Sequence, residues 1–93
     1  MGVTVHLPAP LRELAGGRAV VPVDRTVATV GQAFEALREE LPAVYERILD
    51  ERRELRPHVN VFVGREDVRW SGGLGTPLED GSQVVVLPSV SGG

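Results

Sequence analysis

The chain has 93 residues, 42% of them apolar, and a formal net charge of −3. That length suits one domain with a modest core, and the mild acidity argues against a dedicated nucleic-acid binder. The chain has no cysteine, which excludes disulfides, thiolate metal sites and a cysteine nucleophile.

Residues 3–7, VTVHL, alternate apolar and polar and predict a half-buried strand. Pro8 and Pro10 end it, because proline removes ladder donors. Residues 11–15 predict one helical turn, closed by Gly16 and Gly17. Residues 18–23, RAVVPV, predict a second strand, which Pro22 places toward an edge. Thr29 and Gln32 have capping-box spacing. Val30, Phe34, Leu37 and Leu41 follow at helical spacing and predict the main helix. Pro42 ends or kinks it, since the residue before proline avoids the α region. A short helix over 43–49 follows, with Val44 and Ile48 inward.

Residues 50–57, DERRELRP, read as a charged, solvated loop. Val59, Val61 and Val63 predict a third strand, residues 64–67 a turn, and residues 68–70 (VRW) a short fourth strand. A glycine-rich loop over 71–75 and the Asp80-Gly81 turn precede the last strand, QVVVL over 83–87. Its unbroken valines predict burial on both faces, as in a central strand, and Pro88 stops it. The order β-β-α-β-β-β predicts an α+β fold of two layers, a mixed sheet packed on one main helix, with the first and last strands adjacent at its centre. The domain is expected over 1–88 and a C-terminal tail over 89–93.

No apolar run approaches ~20 residues, so no membrane span is expected. The opening MGVTVHLPAP lacks a basic start followed by a long apolar stretch, so a cytoplasmic location is expected. His6 and His58 are the only histidines, and with no third ligand at metal spacing no metal site is expected. Asp67, Glu79 and Asp80 fall in turns, without a companion for acid–base work. No catalytic triad stands out. The Ser71-Gly72-Gly73-Leu74-Gly75 loop lacks the Lys-Ser/Thr of a phosphate cradle and reads instead as a turn bringing backbone close to a neighbour. Arg52, Arg53 and Arg56 read as part of a solvated loop rather than a recognition site. Phe62, between two inward valines, should point outward. Either it anchors a partner or a loop or tail residue covers it; a candidate partner surface takes in Phe62 and Leu74.

LPAPLRELAGG near the start, the Asp-Gly turn before QVVVL, and the closing PSVSGG resemble the MoaD/ThiS family of ubiquitin-like sulfur carriers. The resemblance spans essentially the whole chain. From residue 59 onward, and above all in the RWSGGL segment, it is most similar to the branch of that family serving cysteine biosynthesis. The resemblance implies a β-grasp fold and a protein that is not itself an enzyme. It implies that an activating enzyme of the MoeB/ThiF/MoeZ kind adenylates the carboxylate of Gly93 with ATP, and that a sulfur donor displaces AMP to leave a thiocarboxylate. Gly92, Ser91 and Val90 are the tail residues such enzymes would recognise. A PLP-dependent cysteine synthase acting on O-phosphoserine would take the sulfur, and a JAMM-type zinc peptidase would release the new cysteine. The large subunit of molybdopterin synthase is the alternative acceptor. No cofactor is expected on the chain itself.

The residue chemistry agrees. A carboxylate is a poor electrophile, so adenylation must supply a leaving group. Glycine has no Cβ, so Gly92-Gly93 can thread a narrow channel. With neither cysteine nor lysine, no internal thiol or ε-amino group competes for the activated acyl group, and the N-terminal amine remains. The internal Ser71-Gly72-Gly73 shows that the tripeptide alone proves little. Two other classes stay open: a ubiquitin-like modifier joined through Gly93 by isopeptide bonds, and an interaction module with an inert tail.

Overall fold

The first strand, β1 (Thr4–His6), buries Val5 completely and exposes part of Thr4 and His6, as its alternation predicts. It pairs antiparallel with β2 (Val20–Pro22), Val5 opposite Val21. Pro22 lies on the edge strand of the sheet, where a missing donor matters least. The connection holds a short helix, α1 (Ala9–Arg12), and a 3₁₀ turn over Glu13–Ala15. Helical structure thus starts before Leu11. Pro10 sits in the first turn, where its absent N–H would have had no partner anyway. Gly16, with φ 70°, closes the segment.

The main helix, α2 (Val30–Glu40), opens on the expected cap: Gln32 N–H donates to Thr29 Oγ1 at 3.2 Å. Gln32 Oε1 reaches back to the Ala28 N–H at 2.7 Å, one residue before the cap. Val30, Ala33, Phe34 and Leu37 are buried. Leu41 leaves the helical region (φ −131°), and Pro42 begins a second helix, α3 (Pro42–Ile48), which buries Val44, Tyr45 and Ile48. Residues 50–57 are less uniformly solvated than their charge predicts. Leu55 bridges Leu49 and packs against the core, while the Asp50 carboxylate accepts the N–H groups of Arg52 and Glu54.

β3 (Val59–Val63) turns through Gly64, φ 61°, into β4 (Glu66–Asp67). A positive φ at the first loop position matches the twist of a two-residue hairpin. The fourth strand therefore lies at 66–67, and not at 68–70 as the sequence predicts. Val68–Trp70 is a 3₁₀ turn, because the Asp67 carboxylate accepts the Arg69 N–H at 2.9 Å and draws the chain out of the sheet.

The loop that follows contains a second 3₁₀ turn, Gly73–Gly75, and lies against α2. Thr76 Oγ1 donates to the Gly73 carbonyl at 2.7 Å, and the Thr76 carbonyl accepts the Val30 N–H at 3.0 Å. A Cβ on Gly31 would lie 3.1 Å from the Leu74 carbonyl oxygen. The glycine-rich loop is thus the close backbone approach expected, and Gly31 on the helix makes room for it.

β5 (Gln83–Pro88) runs parallel to β1 and antiparallel to β3, giving the sheet order β2-β1-β5-β3-β4. It is central in pairing, but it is not buried on both faces. Val84 and Val86 are buried, Val85 is half-buried and Leu87 is 43% exposed. The helices cover one face of the sheet only, so unbroken valines here mark two paired edges rather than two covered faces. The result is an α+β, ubiquitin-like β-grasp: one mixed sheet folded over α2, with α3 completing the core. The computed structural model describes residues 2–88. The expected tail, with Val90, Ser91, Gly92 and Gly93, lies outside the described residues.

Candidate functional site at the end of the central strand

The last described residue of β5, Pro88, stands opposite Val59 at the start of β3. Because β1 is parallel to β5, the chain leaving β1 arrives at the same end of the sheet, and α1 begins there. Pro8, Pro10, Leu11, Leu87 and Pro88 form an apolar groove at this point, with Arg47 of α3 and His58 also on its wall. Residue 88 is therefore the place where any tail chemistry joins the fold.

Phe62 sits on the open face of the sheet. It is half-buried and lies apart from the core cluster, whereas its neighbours Val61 and Val63 belong to or pack on that cluster. Register places Phe62 beside Val85, Val85 beside His6, and His6 beside Val20. Val20 and Leu87 are 44% and 43% exposed, so this face is apolar and largely open. His6 Nε2 and Thr4 Oγ1 lie 3.1 Å apart on it.

Leu74 is elsewhere: it packs on the core beside Gly31 of α2. The structure does not bring Phe62 and Leu74 into one surface, because the sheet lies between the open face and the helix layer. Residues that do join Phe62, namely Val20, Val85 and Leu87, were readable only as alternate positions on strands. Trp70, 86% exposed, is the most exposed large apolar side chain among the described residues. The strand reading of 68–70 concealed it.

The titrating groups with displaced pKa values lie away from the end of β5. Burial, followed by the hydrogen bond to Glu35, raises the Tyr45 hydroxyl above its ordinary value; Tyr45 donates to Glu35 Oε2 at 2.7 Å. The Glu54 N–H, then that of Arg52, lowers the Asp50 carboxyl. Among the described residues no cluster of three or more His, Asp or Glu side chains is placed to hold a metal ion, and no helix is long and apolar enough to cross a membrane. The described surface offers binding faces and an exit point for a chain.

A β-grasp domain whose central strand leads into the candidate reactive segment has the architecture of a ubiquitin-like carrier. The chain belongs to the ThiS family, whose model matches residues 5–93. It is 39% identical to the sulfur carrier protein CysO of Mycobacterium tuberculosis over 95 residues, covering 100% of both chains. It is 40% identical over 86 residues to small archaeal modifier protein 1 of Haloferax volcanii, covering 91% of this chain and 93% of the relative. Among solved structures it superposes on the Amycolatopsis orientalis BexX/CysO complex with a TM-score of 0.86 and 36% identity, over 99% of this chain and 100% of that one.

Proposed function

We propose that this protein is a sulfur carrier whose reactive group is the C-terminal carboxylate of Gly93. An activating enzyme of the MoeB/ThiF/MoeZ kind transfers AMP from ATP to that carboxylate, releasing pyrophosphate. A sulfur donor then displaces AMP and leaves a thiocarboxylate. The observation that carries this reading is the end-to-end likeness to a sulfur carrier at 39% identity. The fold supports it, since β5 delivers the chain to Gly93 from the best-anchored strand of the sheet. Gly92, Ser91 and Val90 act as the segment that enters the enzyme, and Gly92-Gly93 pass where a Cβ would not.

The sulfur goes to a PLP-dependent cysteine synthase acting on O-phosphoserine, and a JAMM-type peptidase frees the product. This choice over the large subunit of molybdopterin synthase follows the likeness to CysO. Incubation with the activating enzyme, ATP and a sulfur source tests the first step. Intact mass should rise by the difference between sulfur and oxygen. No mass change would refute the carrier reading. Presenting the thiocarboxylate to a cysteine synthase with O-phosphoserine tests the second step, and failure to form a cysteine adduct refutes it.

A second reading has its own support in the 40% identity to an archaeal modifier protein. In that reading Gly93 forms isopeptide bonds with lysines of other proteins. High-mass conjugates that survive reducing gels would establish it.

A further inference from the structure

Charge is unevenly paired over this molecule. Arg18, Arg25, Arg38 and Arg52 have carboxylate partners in Glu40, Glu39, Glu35 and Glu54. Arg12, Arg53 and Arg65 form no ion pair among the described residues, and neither do Arg47, Arg56 and Arg69. The last three surround His58 at the end of the sheet where β5 finishes. Arg47 and His58 line the groove beside Pro88, and share a second depression with Arg56 and Glu46. Arg56 Nε is fixed on the Glu46 carbonyl at 2.8 Å. Among the described residues this edge of β3 has no strand partner beyond the two residues of β4, and Arg69 Nη2 donates there to the carbonyls of Pro57 at 3.4 Å and Val59 at 3.3 Å, on either side of His58. Arg47 and His58 thus stand beside Pro88, with Arg56 and Arg69 flanking His58; Glu46 is the one carboxylate lining either depression, while Asp50 and Glu51 share a further depression with Arg56 on its other side.

We infer that this basic collar docks against an acidic rim on the adenylating enzyme, around the mouth of the channel that receives residues 89–93. The inference rests on the proposed adenylation of Gly93. Five residues span at most about 17 Å when extended. A channel that reaches Gly93 therefore brings its rim against the residues around Pro88. With the segment extended, the collar is too far from the reacting carboxylate to assist the chemistry, so its role is association. Unpaired arginines entering an interface need carboxylates opposite them, because a desolvated charge without a partner is strongly unfavourable. A basic end on a chain of net charge −3 also orients its approach to an acidic mouth.

Steady-state conversion by the adenylating enzyme of the same organism, followed by intact mass, tests this. The Arg47 side chain makes no hydrogen bond among the described residues, so Arg47→Glu probes the collar without removing a side-chain hydrogen bond. The expected result is a KM for the carrier several-fold higher, and roughly ten-fold higher for Arg47→Glu/Arg56→Glu, with kcat unchanged. Wild-type KM should rise with salt more steeply than that of the double variant. Arg25→Glu, on the far side of the domain, should leave KM as it is. Circular dichroism and melting show that the variants are folded, and Arg47→Gln/Arg56→Gln gives a milder version with the same direction. Unchanged KM and salt dependence in all collar variants, with wild type converted normally, overturn the inference. If wild type itself is not converted, the proposed adenylation fails first and the collar inference falls with it.

Discussion

Replacing Gly31 with alanine should destabilise the domain, although helix propensity alone predicts the reverse. Alanine is better than glycine inside a helix by up to about 1 kcal/mol. Here the added Cβ would stand 3.1 Å from the Leu74 carbonyl oxygen and 3.3 Å from Leu74 Cβ. Comfortable carbon contacts begin near ~3.5 Å, so the loop must retreat by a few tenths of an ångström. It is poorly placed to do so. The Thr76 carbonyl holds the Val30 N–H at 3.0 Å, the Ala28 carbonyl holds the Leu78 N–H at 2.9 Å, and the Gly72 carbonyl holds the Gly75 N–H at 3.0 Å. The first two bonds tie the loop to the start of the very helix that would push it away, and the third stiffens the loop itself.

Overpacking of this kind costs about 1–3 kcal/mol, and the propensity gain offsets part of it, leaving a net loss of about 1–2 kcal/mol. For a domain of this size that lowers the melting temperature by roughly 5–15 °C. Urea and thermal unfolding followed by circular dichroism measure it, with an unchanged m-value expected. A Gly31→Ala protein as stable as the parent, or more stable, would refute the claim that the loop is pinned against α2.

Phe34 is fully buried, and Phe34→Ala should cost about 3–5 kcal/mol in chemical unfolding. Thr29→Ala removes the acceptor for the Gln32 N–H and should cost about 1 kcal/mol by the same measurement. Backbone N–H groups hold the Asp50 carboxyl below its ordinary pKa, so its contribution is complete above the usual carboxylate range and is lost as pH falls through the lower folded value. Asp50→Asn should therefore flatten the decline of the urea midpoint over that acid interval. Deleting Gly93 should leave the melting temperature unchanged yet abolish thiocarboxylate formation, read by intact mass.

Much of the fold was legible where a single residue type has a strong local effect. Thr29 capped its helix, Pro42 divided the helical segment, and Pro22 marked an edge. The 68–70 segment was misread because Val68 and Trp70 alternate like a strand, while the decisive contact is the Asp67 carboxylate on the Arg69 N–H. Three residues are too few for periodicity to outweigh one side-chain hydrogen bond. The valines of β5 were read correctly as central and incorrectly as doubly covered, since hydrophobic runs do not distinguish neighbours within a sheet from layers above and below it. The basic collar had little linear signal: of its members only Arg56 belongs to the charged run over 50–57, which reads as a solvated loop. Its members stand at positions 47, 56, 58 and 69, on α3, a loop, the approach to β3 and a 3₁₀ turn, and only the fold assembles them.

The parallel pairing of β1 with β5 has a mechanical consequence. Among the described strands, β5 alone joins the β1–β2 pair to the β3–β4 pair. Tension applied between the start of β1 and the end of β5 runs along both strands in opposite senses. It loads their shared hydrogen bonds in shear, so that they resist together and fail together instead of opening one at a time. An enzyme that draws on the segment beyond Pro88 is therefore pulling on the strand whose release would divide the sheet in two. The domain should hold its shape under that load, and the β1–β5 register, rather than the edges, should set the force at which it gives way.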